Sequence, residues 1–159
     1  MTDSSSPLIA NEIERTVAGP MWHGPALEEL LDGVTYEQAS ARPIAGAHTI
    51  WELVLHITTW SDIARERLHS KQLESPPTDV DWPPAPDPSE AAWRDALERL
   101  AASHSALAHD AAGLSSEALK AVVPVPKPRY NVETLLRGVI EHGTYHGGQI
   151  ALLKRALSK

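Results

Sequence analysis

His142 and His146 stand four residues apart in Glu141-His-Gly-Thr-Tyr-His-Gly-Gly-Gln-Ile150, and a third histidine, His56, stands in Leu53-Val-Leu-His-Ile-Thr-Thr-Trp60. Imidazole binds divalent metals through one ring nitrogen, and three of them on one ion leave coordination positions open for water or substrate. An open site of that kind is catalytic in type: it lowers the pKa of bound water, polarises a carbonyl, or lowers the pKa of a thiol. The pattern is not that of a zincin, because Gly143 stands where a glutamate base would directly follow the first ligand.

The elements that must position these residues are helices. Val132, Leu135, Leu136, Val139, Ile150, Leu153 and Leu157 recur at three- and four-residue steps, which defines one helix face, and His142 and His146 fall on it. Thr49-Ile-Trp-Glu52 has capping-box spacing and opens a second helix expected to reach about Leu68. Its inward stripe is Leu53, Ile57, Trp60, Ile63 and Ala64, and His56 lies on that stripe. Inward imidazoles either sit in the core as neutral, hydrogen-bonded groups or share a metal ion. With eight histidines in the chain the pair alone is weak; its face and the third inward histidine strengthen the metal reading.

The remaining pieces complete a bundle. Leu8, Ile9, Ile13 and Val17 give a first helix that stops at Gly19-Pro20. Trp22-His-Gly-Pro25 leads into Leu27, Leu30 and Leu31, and Thr35-Tyr-Glu-Gln38 opens a short helix ended by Pro43. Ser75 to Pro88 carries six prolines without helical period, a stiff crossover that suits two helices side by side in the same direction, with Trp82 pinning it to the body. Asp87-Pro88-Ser89-Glu90 reads as a cap, a proline at the first helical position and an acid at the third, before the stripe Trp93, Leu97, Leu100, His104 and Leu107. After a short turn of helix at Ser115 to Leu119, residues 122–129 read as extended, and Asn131 caps the last helix. No segment alternates with period two, so the fold class is all-α, a four-helix bundle in a single domain over 1–159.

Composition bounds the partners. The net charge of -7, without a Lys/Arg stripe, argues against nucleic acid or an anionic membrane. The absence of cysteine excludes disulfides, thiolate metal sites and a cysteine nucleophile, and suits a reducing compartment. Met1 to Pro7 has no basic region followed by an apolar core, and no run of about 18 apolar residues occurs. The expectation is a soluble cytoplasmic protein.

His48-Thr-Ile-Trp-Glu-Leu-Val-Leu-His-Ile-Thr-Thr-Trp60 and Glu141 to Ile150 resemble the second- and fourth-helix signatures of the DinB/YfiT-like superfamily. Trp22-His-Gly-Pro25, Ala41-Arg-Pro-Ile44 and Asp81-Trp-Pro-Pro84 extend the resemblance over nearly the whole chain. It implies an up-up-down-down bundle and a divalent metal, nickel or zinc, on His56, His142 and His146. It also implies a thiol-dependent S-transferase using a low-molecular-weight thiol on a small-molecule substrate, and a homodimer. The alternatives are a metal-dependent hydrolase of a small ester or amide and a stress-response protein that binds metal or ligand without turnover. Relatives often carry an acid where this chain has Gly143, which would remove a partner for a ligand.

Other residues have a bland and a sharp reading each. Gln149 either bonds a ligand or bound water, or satisfies a backbone carbonyl. His23 and His48 are either loop histidines or acids and bases at the mouth of the site. Glu52 caps its helix or orients His56, and His104 is a core histidine or a rival ligand. His69 and His109 suit helix C-termini, Trp51, Trp60 and Trp93 read as core, and Arg129 and Arg137 are the cations available to a thiol's acidic groups.

Overall fold

Gly19 ends the first helix, α1 (Ser6–Ala18), with a φ of 72° and its amide on the Arg15 carbonyl, a conformation that glycine adopts without penalty. The computed structural model describes residues 5–69, 75–125 and 129–158. The opening residues 1–4, and 126–128 of the stretch read as extended, lie outside the described residues.

Two short helices follow, α2 (Leu27–Leu31) and α3 (Tyr36–Ser40). Thr35 caps α3 as its spacing predicts: the hydroxyl accepts from the Gln38 amide, and the Gln38 side chain accepts from the Thr35 amide. The same device opens α4 (Ile50–His69), where the Glu52 carboxylate accepts from the Thr49 amide at 2.8 Å and the Thr49 hydroxyl from the Glu52 amide at 3.1 Å. Glu52 is therefore a capping residue and not a partner of His56.

The proline-rich stretch has no helical period in its sequence, yet it contains one helical turn, α5 (Thr78–Asp81). The cap of α6 (Glu90–Ala112) is Ser89, not Asp87: Ser89 is extended and its hydroxyl accepts from the Ala92 amide, while Pro88 lies outside the helix. After α7 (Ser116–Lys120) an isolated antiparallel bridge joins Val122 to Asn131, and Asn131 caps α8 (Val132–Leu157) through the Thr134 amide. Among the described residues no strand forms, and the chain is all-α.

α1 packs on α6 and α8, and α4 packs on the same two. Cross-helix contacts give the directions. Trp51 meets Trp93, Thr58 and Asp62 meet Ser103, and Arg65 meets Asp110, so α4 and α6 are parallel. His56 meets His142 while Arg67 meets Tyr130, so α4 and α8 are antiparallel. Glu12 meets Arg137, and Thr16 packs on position 143, so α1 and α8 are parallel. The order is up, down, down, up. This corrects the up-up-down-down order, because the parallel pair is the second and third main helices, the two that the proline-rich connection joins.

Two clusters fill the interior, one around Trp51, Ile57, Trp93 and Ile150, the other around Ile9, Ile13, Leu107 and Leu136. Each fully buried Leu or Ile contributes about 2 kcal/mol relative to exposure. Trp51 and Trp93 are core as expected, whereas Trp60 is only half-buried, because it lines a cavity. No helix of the described residues is long and apolar enough to cross a membrane.

Candidate metal centre

α4 and α8 bring His56, His142 and His146 together at the level where the two helices face each other. Nε2 of His142 lies 3.0 Å from Nε2 of His56 and 3.0 Å from Nε2 of His146. One nitrogen from each ring falls within 4.8 Å of the other two, and the three form a group able to hold one metal ion. His56 and His146 are buried and His142 is half-buried.

The outer nitrogens decide the tautomers. His56 Nδ1–H donates to the Asp81 carbonyl at 2.6 Å, and His146 Nδ1–H donates to Gln149 Oε1 at 2.7 Å. Both acceptors lack a hydrogen, so each ring is left with an unprotonated Nε2 aimed inward. His142 Nδ1 is buried without a partner among the described residues. Burial pushes His142 down to about 3, with His146, His56 and His104 adding to the effect, and burial also lowers His56 and His146. All three are therefore neutral near pH 7, the form that ligates.

The crossover completes the group. Trp82 is sandwiched between two imidazoles, 3.6 Å from the His48 ring and 3.7 Å from the His56 ring, with interplanar angles of 6° and 3°. Trp60 Nε1 donates to the Asp81 carboxylate at 2.7 Å. A cavity of about 430 Å³ opens over the cluster, walled by His48, Trp60, Asp81, Trp82, Tyr145 and Gln149.

The expected residues separate at this point. His48 stands exposed at the rim of that cavity, with Nδ1 3.3 Å from Glu52 Oε2, and Gln149 sits behind His146. His23 is not brought to it: this exposed histidine lines a separate cavity of about 120 Å³ against α2 and α8. Its place at a break between helices gave no information about which side of the bundle it faces. His104 is fully buried, donates Nδ1–H to the Leu100 carbonyl, and is a core histidine outside the cluster. His69 bonds Asp110 on the far side of α4. Arg137 is taken up by Glu133 and Glu12, Arg129 is exposed, and neither lines the cavity over the histidines.

Position 143 does not face the cluster. A Cβ built on Gly143 would lie 2.6 Å from Thr16 Cγ2, so this glycine lets α1 approach α8, and an acid there would meet α1 instead of a ligand. Sequence reasoning missed Asp81 as a partner of His56. The Asp-Trp dipeptide after a short polar turn was the available signal, but nothing in a proline-rich stretch indicates which helix its carbonyl will meet.

A four-helix bundle with three histidines brought together from its second and fourth main helices defines a class of helical bundles carrying a group able to hold a metal ion. A family model described as the DinB superfamily matches residues 22–150, and the chain belongs to that superfamily. Comparison with curated proteins and with solved structures found no match.

Proposed function

We propose that the chain is a metal-dependent S-transferase, in which His56, His142 and His146 hold one nickel or zinc ion and a low-molecular-weight thiol is joined to a small electrophile. The observation that carries the metal is the clash of lone pairs. With His56 and His146 both committed as Nδ1–H donors, His142 can donate from Nε2 to only one of its two neighbours at 3.0 Å. The other neighbour's lone pair is then left beside it without a proton, and in the Nδ1–H tautomer of His142 all three lone pairs converge; burial opposes the extra proton on His56 or His146 that would relieve this. A divalent cation accepts all three lone pairs. The two pairs through His142, each 3.0 Å apart, also suit neighbouring positions on an ion with bonds of about 2.1 Å.

When bound, the ion supplies Lewis acidity and lowers the pKa of a thiol. The chain's own residues do the rest. The Asp81 carbonyl and Gln149 keep two imidazoles turned with Nε2 inward, and Trp82 shields one face of His56 from water. His48 uses Nδ1 toward Glu52, which leaves Nε2 at the rim to accept the proton of an incoming thiol.

The test is conjugation of a bimane electrophile by tag-free, metal-reconstituted protein with glutathione, bacillithiol or mycothiol. The reading predicts a rate that saturates with one of these thiols and is lost in His142→Ala. Turnover of a small ester without thiol would assign a hydrolase instead, and metal retention with every substrate silent would assign a binding protein. The reading includes a homodimer in the cytoplasm; light scattering of the purified protein gives the mass directly.

A further inference from the structure

Arg67 is 8% exposed, on the last turn of α4, and no carboxylate of the described residues pairs with it. One guanidinium nitrogen donates to the Tyr130 hydroxyl at 2.6 Å, and the guanidinium carbon stands 5.6 Å from the Trp60 ring centroid. Its Nε is buried with no partner among the described residues. Removing a guanidinium from water without a counter-anion is costly, and a neutral hydroxyl and an aromatic face offset only part of that cost.

The side chain lines a cavity of about 390 Å³ that also includes Trp60, Tyr130, Leu135, Val139 and His142. Trp60 and His142 line the cavity over the histidine cluster as well, so the two cavities meet at the same pair of side chains. The walls between Arg67 and His142 are mainly apolar, and the size is that of a small-ligand site. Tyr130 accepts from Arg67 through its oxygen and keeps its own O–H to donate.

We propose that this cavity is the substrate pocket and that it takes a small organic carboxylate. The carboxylate lies on Arg67 and the Tyr130 hydroxyl, the apolar body lies between Trp60, Leu135 and Val139, and the reactive end points towards His142. The guanidinium fork matches a planar carboxylate, and the anion supplies the charge partner that Arg67 lacks among the described residues. The inference deepens the reading of the histidine cluster as the reactive centre and rests on it for the placement of the reactive end.

The test is calorimetric titration of the full chain with 3-phenylpropionate and with 3-phenylpropanol, metal-loaded and metal-stripped. A charged hydrogen bond in a buried site predicts that the carboxylate binds about tenfold or more tightly than the alcohol. Arg67→Met should abolish that preference. Gly138→Leu is the control for folding, since Gly138 lines the cavity and a Cβ there meets nothing within 4 Å. It should strengthen α8, fill the pocket and abolish binding of both probes. A preference that survives Arg67→Met, equal binding of the two probes, or no binding by the folded parent would overturn the inference. A preference lost on metal removal but kept in Arg67→Met places the anion on the histidine cluster, which sinks this inference and leaves the metal reading standing. An Arg67-dependent preference in metal-stripped protein supports the pocket even where the metal reading fails.

Discussion

Trp82 lies face to face with His56, ring centroids 3.7 Å apart and planes within 3°, while the preceding residue, Asp81, takes the His56 Nδ1 proton on its carbonyl. A single turn in the proline-rich crossover thus fixes both the face and the tautomer of one imidazole. Trp82→Ala should keep the helical content and weaken metal binding by about tenfold, the scale on which residues behind a ligand act. Competition with a chromophoric chelator measures it, and unchanged affinity would show that the stack does not orient His56.

Gln149 does for His146 what the Asp81 carbonyl does for His56. Gln149→Leu removes the acceptor and should lower metal affinity by about 10- to 100-fold. Gln149→Glu keeps an oxygen for the Nδ1 proton and should bind metal at least as well as the parent. Equal losses in both variants would point to packing alone.

Gly143→Ala tests the approach of α1 to α8. The exchange gains about 1 kcal/mol of helix propensity. It also drives a methyl against Thr16 Cγ2, and overpacking of this kind costs about 1–3 kcal/mol. We expect a net loss of stability in urea denaturation. Adding Thr16→Ser, which deletes the crowding methyl and keeps the hydroxyl on the Glu12 carbonyl, should return at least parental stability. Independent effects of the two changes would contradict the account.

His104 gives the folded protein an acid sensitivity separate from the site. Burial pushes it from 6.5 down to about 4, opposed by its bond to the Leu100 carbonyl and by Asp62 on α4; His142 on α8 also lies within electrostatic reach. Below pH 6.5 the unfolded chain takes up a proton that folded His104 refuses until about pH 4. Its contribution to stability is therefore flat above 6.5 and falls with pH between 6.5 and 4, by roughly 3 kcal/mol in all. Denaturation of His104→Leu across that range should lack this slope relative to the parent. Parallel pH profiles would show that His104 does not contribute.

Much of this was readable from spacing. Helical periodicity placed His56, His142 and His146 on inward faces, because three- and four-residue steps fix a face without tertiary information. The boxes at Thr35 and Thr49 and the cap at Asn131 are local chemistry and appear where their spacing puts them. What spacing does not carry is which faces meet. Asp81 became a partner of His56 through the path of the crossover, and His23 was drawn to the far side of α8 by the packing of α2. Trp60 has the spacing of a core residue, and only the cavity beside it distinguishes lining from filling. Arg67 stands in the last turn of α4, where a cation is ordinarily explained by the helix dipole; its burial without a carboxylate partner among the described residues is a tertiary fact.

The most direct test of the central claim is the metal content of tag-free protein by plasma mass spectrometry, beside His56→Ala and His142→Ala variants shown to be folded by circular dichroism. The account predicts about one equivalent of nickel or zinc in the parent, as a single three-nitrogen site holds one ion, and almost none in either variant. A parent that stays metal-free after reconstitution with both metals, or variants that bind as the parent does, would contradict it and reduce the three histidines to packing.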